Sequence, residues 1–323
     1  MKFFINDAMD PAFNLALEEV LCREFPEPFL MLWRNGRSVI VGKNQNTFAE
    51  VNASFLSAEN IPVVRRMTGG GAVFHDPGNV NYTLVYHERQ PGSDAFARFA
   101  APVVKALKSM GVDAAFSGRN DILVDERKVS GSAQCCIKDR TLFHGTLLFD
   151  ADMEMLSKVL TPGKLKIESK GVKSVRSRVA NLKEFLPGLD VEGFMKELEK
   201  ALEEFAGRTE AVPLEWQEKA QALADERYRQ WAWNWGMTFE SSWENAGRFP
   251  AAGVVELKVK LMNGRVEEAK ITGDFFGDPA PIEEALRGIL FRRSDAAAAL
   301  KETAVEQYIR NLKNDELLSL IGS

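Results

Sequence analysis

The residues best equipped for chemistry in this chain of 323 lie between Arg65 and Tyr82, RRMTGGGAVFHDPGNVNY, where two arginines closely precede three consecutive glycines. Glycine lets main-chain N–H groups approach phosphate or carboxylate oxygens and tolerates the positive φ angles such a cradle needs. Bare backbone beside fixed positive charge is a place to hold an anion. The run lacks the Lys-Ser/Thr ending of a P-loop and the spacing of a dinucleotide fingerprint. On spacing alone a tight turn between two strands is the favoured reading.

A second group surrounds Lys128 in DERKVSGSAQ. Taken alone, Lys128 is one solvated charge beside a turn. In a regular strand Lys128, Ser130 and Ser132 would share a face, so the serines would line the same pocket as the lysine. Further basic residues recur nearby and downstream: Arg119, Arg127, Lys170, Lys173, Arg176 and Arg178. On a protein of formal net charge −5 they read either as a local basic pocket or as ordinary solvated surface charges. That balance argues against general nucleic-acid binding, which would require a basic stripe.

These residues need a scaffold, and its elements can be read from the chain. Asp10 as cap, Pro11 in the first turn, and apolar Phe13, Ala16, Leu17, Val20 and Leu21 predict a first helix. FLMLWR, SVIVG and PVVRR read as short strands, and AVF and NYTLVY flank HDPGN as a hairpin would. SDAFARFAAPVVKALKSMG predicts a helix ended by Gly111, after which DILV, KVSGSAQ and TLFHGTLLF read as consecutive strands. A polar helical stretch from about Asp190 to Arg229 closes a large domain, and a Gly- and Pro-punctuated join is expected near 247 to 253. Beyond it the NG turn between VVELKVKL and VEEAKITGDF predicts a hairpin, followed by helices from about Pro281 to Phe291 and Asp295 to Leu312. The expectation is an α+β protein, residues 1–245 forming the large domain and 246–323 a small accessory one. Length and a hydrophobic content of 45% allow a sizeable core in each.

Three cysteines, Cys22, Cys135 and Cys136, give no disulfide framework, and no apolar run is long enough to span a bilayer. The chain reads as soluble and cytoplasmic, with no membrane and no nucleic-acid partner.

Six segments, in order, resemble the bacterial A type of lipoate–protein ligase, in the biotin/lipoate ligase superfamily. They are DPAFNLALEEVL, LWRNGRSVIVGKNQN, the glycine segment, SGRNDILVDERKVSGSAQ, HGTLLFDAD and KGVKSVRSRVANL. The resemblance implies a large catalytic domain with a mixed, mainly antiparallel sheet around the acyl pocket and a small α+β C-terminal domain. It implies that lipoate is activated with ATP as lipoyl-AMP, and that the acyl group passes to one lysine of an acceptor. The acceptors implied are the glycine-cleavage H protein and the E2 lipoyl domains of 2-oxoacid dehydrogenases. Mg2+ is inferred from the nucleotide chemistry, with no metal-ligand motif behind it.

Residue by residue, the resemblance makes Lys128 the catalytic contact to both the acyl carboxyl end and the α-phosphate. Arg66 corresponds to the nucleotide-contacting arginine. Gly71, Ala72, Val73 and Phe74 correspond to a backbone clamp on nucleotide and acyl group, with Gly69 and Gly70 shaping the turn. His75 and His144 line the acyl site, Trp33 lies beside the dithiolane end, and Asn120 and Asp121 help position phosphates or magnesium. Lys170, Val172 and Lys173 belong to a loop that closes over the adenylate.

For several of these a plainer role is available: a hydrogen-bonded structural histidine, a capping asparagine, a packed tryptophan. The competing reading is a lipoyl or octanoyl transferase that works without ATP through a cysteine thioester. Relatives of that kind carry the thiol at positions held here by Ala115, Phe116 and Ser117 or within SKGVKSV, which leaves Cys135 and Cys136 in the wrong place. The nucleotide loop of a biotin ligase is absent.

Overall fold

A computed structural model of the chain describes residues 1–89, 93–117, 120–160, 179–236 and 241–321. In chain order its strands are β1 (Lys2–Asn6), β2 (Phe29–Arg34), β3 (Ser38–Val41), β4 (Val63–Arg65), β5 (Val73–His75), β6 (Asn79–Tyr86) and β7 (Ala115–Ser117). They continue with β8 (Asp121–Val124), β9 (Arg127–Ile137), β10 (Arg140–Leu148), β11 (Thr209–Ala211), β12 (Trp243–Phe249), β13 (Gly253–Met262) and β14 (Arg265–Gly273). The main sheet runs β11-β1-β2-β6-β10-β9-β8-β7. Only β11, β1 and β2 are mutually parallel; from β2 onward every neighbour is antiparallel, as expected for an α+β fold.

The first helix, Pro11–Glu24, makes the crossover between parallel β1 and β2. Asp10 accepts a hydrogen bond from the Ala12 N–H and so satisfies one of the open donors of the first turn. The helix stops where Phe25, preceding Pro26, is forced into an extended conformation. One face of the sheet carries Val80, Tyr82, Leu84, Phe143 and Leu147 against the helices Ser93–Ser109 and Val191–Ala206, through Phe96, Phe99, Val103, Phe194 and Leu198. The first helix lies on the opposite face with Phe29, Met31, Trp33 and Leu142.

Four local expectations are corrected. The segments AVF and NYTLVY do not form a hairpin, because β5 pairs with β3 in a separate sheet ordered β4-β3-β5. Strand β6 is buried along nearly its whole length and takes β2 and β10 as neighbours, so it has no edge left for β5. The helical stretch after Asp190 is interrupted at Gly207, whose φ of 87° ends the helix and lets β11 extend the sheet beside β1.

The join expected near 247–253 is itself the turn of a hairpin, with Phe249 of β12 opposite Gly253 of β13. The two C-terminal helices are shorter than predicted. The first ends at Leu286 because 288–290 returns to pair with β14, and the second breaks after Ala299. There the Asn314 side chain bonds the Leu300 and Thr303 carbonyls and the Val305 N–H in place of helix backbone. The Asn263-Gly264 turn is as expected, both residues having positive φ.

The three antiparallel strands β12-β13-β14 and the short C-terminal helices enclose a core of their own. One side chain leaves it: Phe276 is 4% exposed within the large domain's core, 5.6 Å from the Phe96 ring.

Candidate active site

Polar residues recur at every second position of β6, Asn79, Asn81 and Thr83, between the core residues Val80, Tyr82 and Leu84. Strand alternation therefore sends them to the face opposite the apolar one. The register carries that polar row across the sheet: Trp33 is opposite Asn81, Thr83 opposite His144, His144 opposite Ala133, and Gly131 opposite Asp121.

Lys128 joins this row through an irregularity. Ser130 pairs with Ile122 and Lys128 with Leu123, so Val129 is an extra residue in β9. Such a bulge reverses the alternation beyond it. Lys128 consequently shares a face with Asp121 and Gly131, and its Nζ lies 2.7 Å from the Asp121 carboxylate. The expectation that it would face the same way as Ser130 and Ser132 is overturned, since those serines lie by the Tyr82 hydroxyl on the other side. Asn120 is a strand-entry residue: its Nδ2 donates to the Ser132 carbonyl at 2.6 Å.

Above the row lies the glycine segment, and Arg66 shapes it. The guanidinium is 6% exposed; Nη2 donates to the carbonyls of Gly69 (2.7 Å) and Gly71 (2.9 Å), Nη1 to that of Ile40 (3.2 Å), and Nε to Thr68 Oγ1 (2.9 Å). Burial lowers its pKa to about 10, Glu18 opposes that shift and Arg65 adds to it, so the group stays cationic at neutral pH. In a planar trans peptide the carbonyl and the following N–H point in opposite directions. Drawing the Gly69 and Gly71 carbonyls inward thus turns the Gly70 and Ala72 N–H groups outward.

The Gly70 N–H meets the Phe275 carbonyl of the small domain at 3.0 Å. Cβ atoms at Gly69 and Gly70 would stand 2.3 Å from that carbonyl and 3.0 Å from the Phe276 ring, so the glycines admit the small domain as well as shaping the turn. Val73 and Phe74 sit in β5, an edge strand whose outer main-chain groups face away from β3. The Phe74 side chain packs with Val39, Val41 and Leu56 beneath that sheet.

Arg65 is not an anion ligand. It is 1% exposed and donates to the carbonyls of Gly42, Lys43, Gln45, Trp233 and Asn234 and to Thr47 Oγ1, pinning the 42–47 loop to the tryptophan segment. Arg127 pairs with Glu184 at the surface. Arg119, Lys170, Val172, Lys173, Arg176 and Arg178 lie outside the described residues.

His75 accepts at Nδ1 from Asn35 Nδ2 (3.0 Å), which leaves its proton on Nε2. Burial, then the Arg66 charge, lower its pKa to about 3, so it is neutral. Its Nε2, Asn79 Oδ1 and Asn81 Nδ2 are buried with no hydrogen-bond partner among the described residues. Buried polar atoms in folded proteins are almost always paired, so these two donors and one acceptor fit a polar ligand. Trp33 is 2% exposed, its ring centroid 6.5 Å from that of His75. No cluster of three metal-ligating side chains occurs among the described residues. Asp121 is the part-exposed carboxylate beside Lys128 on this face.

Glu18, Thr68, Asn79, Asn81 and Thr83 escaped the sequence reading. The alternation of polar residues in NVNYTL was the legible sign for three of them, and a carboxylate pair inside the apolar helix was the sign for Glu18.

Comparison with known proteins gives a consistent result. Residues 10–203 match the family model for the lipoyl protein ligase A/B catalytic domain, and residues 238–321 that for the bacterial lipoate protein ligase C-terminus. Lipoate–protein ligase 1 of Staphylococcus aureus is 40% identical, with 100% of both chains covered. The lipoate-protein ligase LplJ of Bacillus subtilis is 39% identical over 99% of this chain and 100% of its own.

Among solved structures, P. falciparum LipL1 in complex with lipoate superposes with a TM-score of 0.80 at 26% identity, covering 98% of this chain and 97% of its own. A bipartite lipoate protein ligase from Thermoplasma acidophilum, studied with its E2 lipoyl domain, gives 0.67 at 29% identity, covering 75% of this chain and 98% of its own. A lipoate-protein ligase A bound with ATP gives 0.64 at 28% identity, covering 73% of this chain and 99% of its own.

Proposed function

The chain belongs to the lipoate–protein ligase family, and from that premise we propose that Lys128 carries the charge on which its two-step reaction turns. The protein is an ATP-dependent ligase that activates lipoate as lipoyl-AMP and transfers the lipoyl group to a lysine of a lipoyl-accepting protein. A lipoate carboxylate oxygen attacks the α-phosphorus of ATP, the bond to the β-phosphate oxygen breaks, and pyrophosphate leaves. The ε-amine of the acceptor lysine then attacks the acyl carbon, AMP departs with its oxygen, and the ammonium proton passes to solvent. Neither step needs a protein nucleophile. Both need positive charge that follows the negative charge from carboxylate to phosphate, and water kept from the mixed anhydride.

The observation that carries the assignment is the β9 bulge, which turns Lys128 onto the polar face with Asp121 and His144. A lysine ammonium on a flexible stem suits a charge that must shift between two anions. In this reading Asp121 orients Lys128 until nucleotide arrives. Mg2+ would be held chiefly by phosphate oxygens, with Asp121 as the protein carboxylate. Arg66 acts by presenting the outward N–H groups of the glycine segment, and Gly71, Ala72, Val73 and Phe74 supply main chain along the β5 edge. His75, Asn81, His144 and Trp33 line the acyl and phosphate space, and Lys170, Val172 and Lys173 close over the adenylate.

Catalysis through Cys22 or Cys135 is disfavoured because burial pushes the Cys22 thiol up to about 12 and holds Cys135 well above its ordinary value. A thioester-forming cysteine needs the opposite shift.

The acceptors proposed are the glycine-cleavage H protein and E2 lipoyl domains, and the compartment proposed is the cytoplasm. No helix among the described residues is long and apolar enough to cross a membrane. The large and small domains, first drawn at 1–245 and 246–323, are proposed to divide just before β12, which a cut at 245 would sever. We also propose that the small domain swings away when adenylate forms, releasing the Gly70 N–H from Phe275.

The test is intact-mass analysis of an apo H protein incubated with the enzyme, lipoate and Mg2+, with ATP in one tube and presynthesised lipoyl-AMP in another. A lipoyl mass gain in both is expected. Gain only with lipoyl-AMP would leave a transferase without activation, and gain in neither would overturn the reading.

A further inference from the structure

The first helix brings one carboxylate into the polar face, and its contacts set the direction of every proton around it. Glu18 is 2% exposed. The Trp33 indole N–H donates to Thr83 Oγ1 (2.8 Å), and the Thr83 hydroxyl donates to Glu18 Oε1 (2.5 Å). His144 Nδ1 lies 3.0 and 3.1 Å from the two Glu18 oxygens, which can only accept when ionised, so Nδ1 carries a hydrogen. On the far side of the ring, Thr68 Oγ1 lies 2.9 Å from His144 Nε2 and already accepts from Arg66 Nε. Its own hydrogen is then left for His144 Nε2. A buried anion and a buried cation are thus joined through two neutral side chains with no donor facing a donor.

We propose that Glu18 is a positioning residue for the ligase reaction: by accepting from Nδ1 it fixes the His144 tautomer, and through Thr68 it seats Arg66 and the glycine segment. If His144 took the other tautomer, its Nδ1 lone pair would face the Glu18 carboxylate, acceptor against acceptor. Its Nε2–H would then share Thr68 Oγ1 with the Arg66 Nε–H, and the Thr68 hydroxyl hydrogen would have to turn away, changing the group that orients the Nε edge of Arg66 while Nη2 holds the Gly69 and Gly71 carbonyls. The cradle would slacken with no contact to substrate removed.

The inference rests on the ligase reading, and its first readout is independent of that reading. Only three histidines occur, so His144 can be assigned in ring 15N–1H spectra of the full chain. Wild type is expected to show His144 as the Nδ1–H tautomer, and Glu18→Gln to show a mixture or the Nε2–H form. Wild-type His144 protonated on Nε2 alone would overturn the proposal whether or not the protein is a ligase.

The second readout is coupling. Glu18→Gln and the milder Thr68→Val are each expected to raise KM for ATP about tenfold with a smaller effect on KM for lipoate. The double variant is expected to be no worse than the poorer single one, since both cut the same chain. Additive losses, or equal effects on both substrates, would show that Glu18 acts only as local packing.

Discussion

Lys128 Nζ lies so near Gly131 that a Cβ on that glycine would come within 2.8 Å of it. The two residues flank the bulge in β9, and the bare Cα of Gly131 leaves the space the ammonium occupies. Gly131→Ala is expected to displace the ammonium without unfolding the strand, because the crowded atom is the end of a flexible side chain. Adenylation, followed by pyrophosphate release, should fall by up to about 100-fold, the scale of a misplacement near 1 Å. Lys128→Ala should abolish it and leave the circular dichroism spectrum intact. Near-normal pyrophosphate release by a folded Lys128→Ala protein would remove Lys128 from the mechanism.

Gly70 has a φ of 95° and the Phe276 ring against its α-carbon. Gly70→Ala is expected to cost roughly 1–3 kcal/mol from backbone conformation alone, with the ring clash in addition. Urea unfolding monitored by tryptophan fluorescence measures the loss, and an unchanged midpoint would mean that the loop takes another shape.

Truncation of Phe276 tests how firmly the small domain is docked. Phe276→Ala removes a ring from the large domain's core and should cost about 3–5 kcal/mol if both domains stay in place. A smaller loss accompanied by a larger radius of gyration in X-ray scattering would show the domains separating before either unfolds.

The pH dependence follows from His75. Its folded-state pKa is lowered to about 3 by burial, below the ordinary 6.5, so the unfolded chain binds the proton more readily. The stability contributed is full above about pH 6.5 and is lost as the pH falls from there toward 3, by at most about 1.4 kcal/mol per pH unit. His75→Gln should flatten the stability curve in that window relative to wild type. Parallel curves for the two proteins would contradict the buried neutral assignment.

Much of this arrangement was legible before the structure. The cap at Asp10, the run of strands from Asp121 to Leu148 and the Asn263-Gly264 hairpin are local signals, and local chemistry decided them. The pairing of β5 was not legible, because the turn at HDPGN looks the same whether the next strand returns or departs. The choice lay in the burial of β6, which needed two neighbours. For the site, Lys128 could be named from its motif, but not its face: one extra residue, Val129, reverses the alternation and has no mark in composition. Arg65 and Arg66 read alike, yet one pins the 42–47 loop to the tryptophan segment, distant in sequence, while the other shapes the cradle.

Phe276 crosses from one hydrophobic core into another, and main-chain bonds from the Gly70 N–H to the Phe275 carbonyl and from the Gly273 N–H to the Asn44 carbonyl accompany it. The small domain therefore holds its place through an interface with its own affinity. In a chain severed just before β12 the two parts are expected to associate through that interface alone, and their separation on dilution would report the strength of the seam.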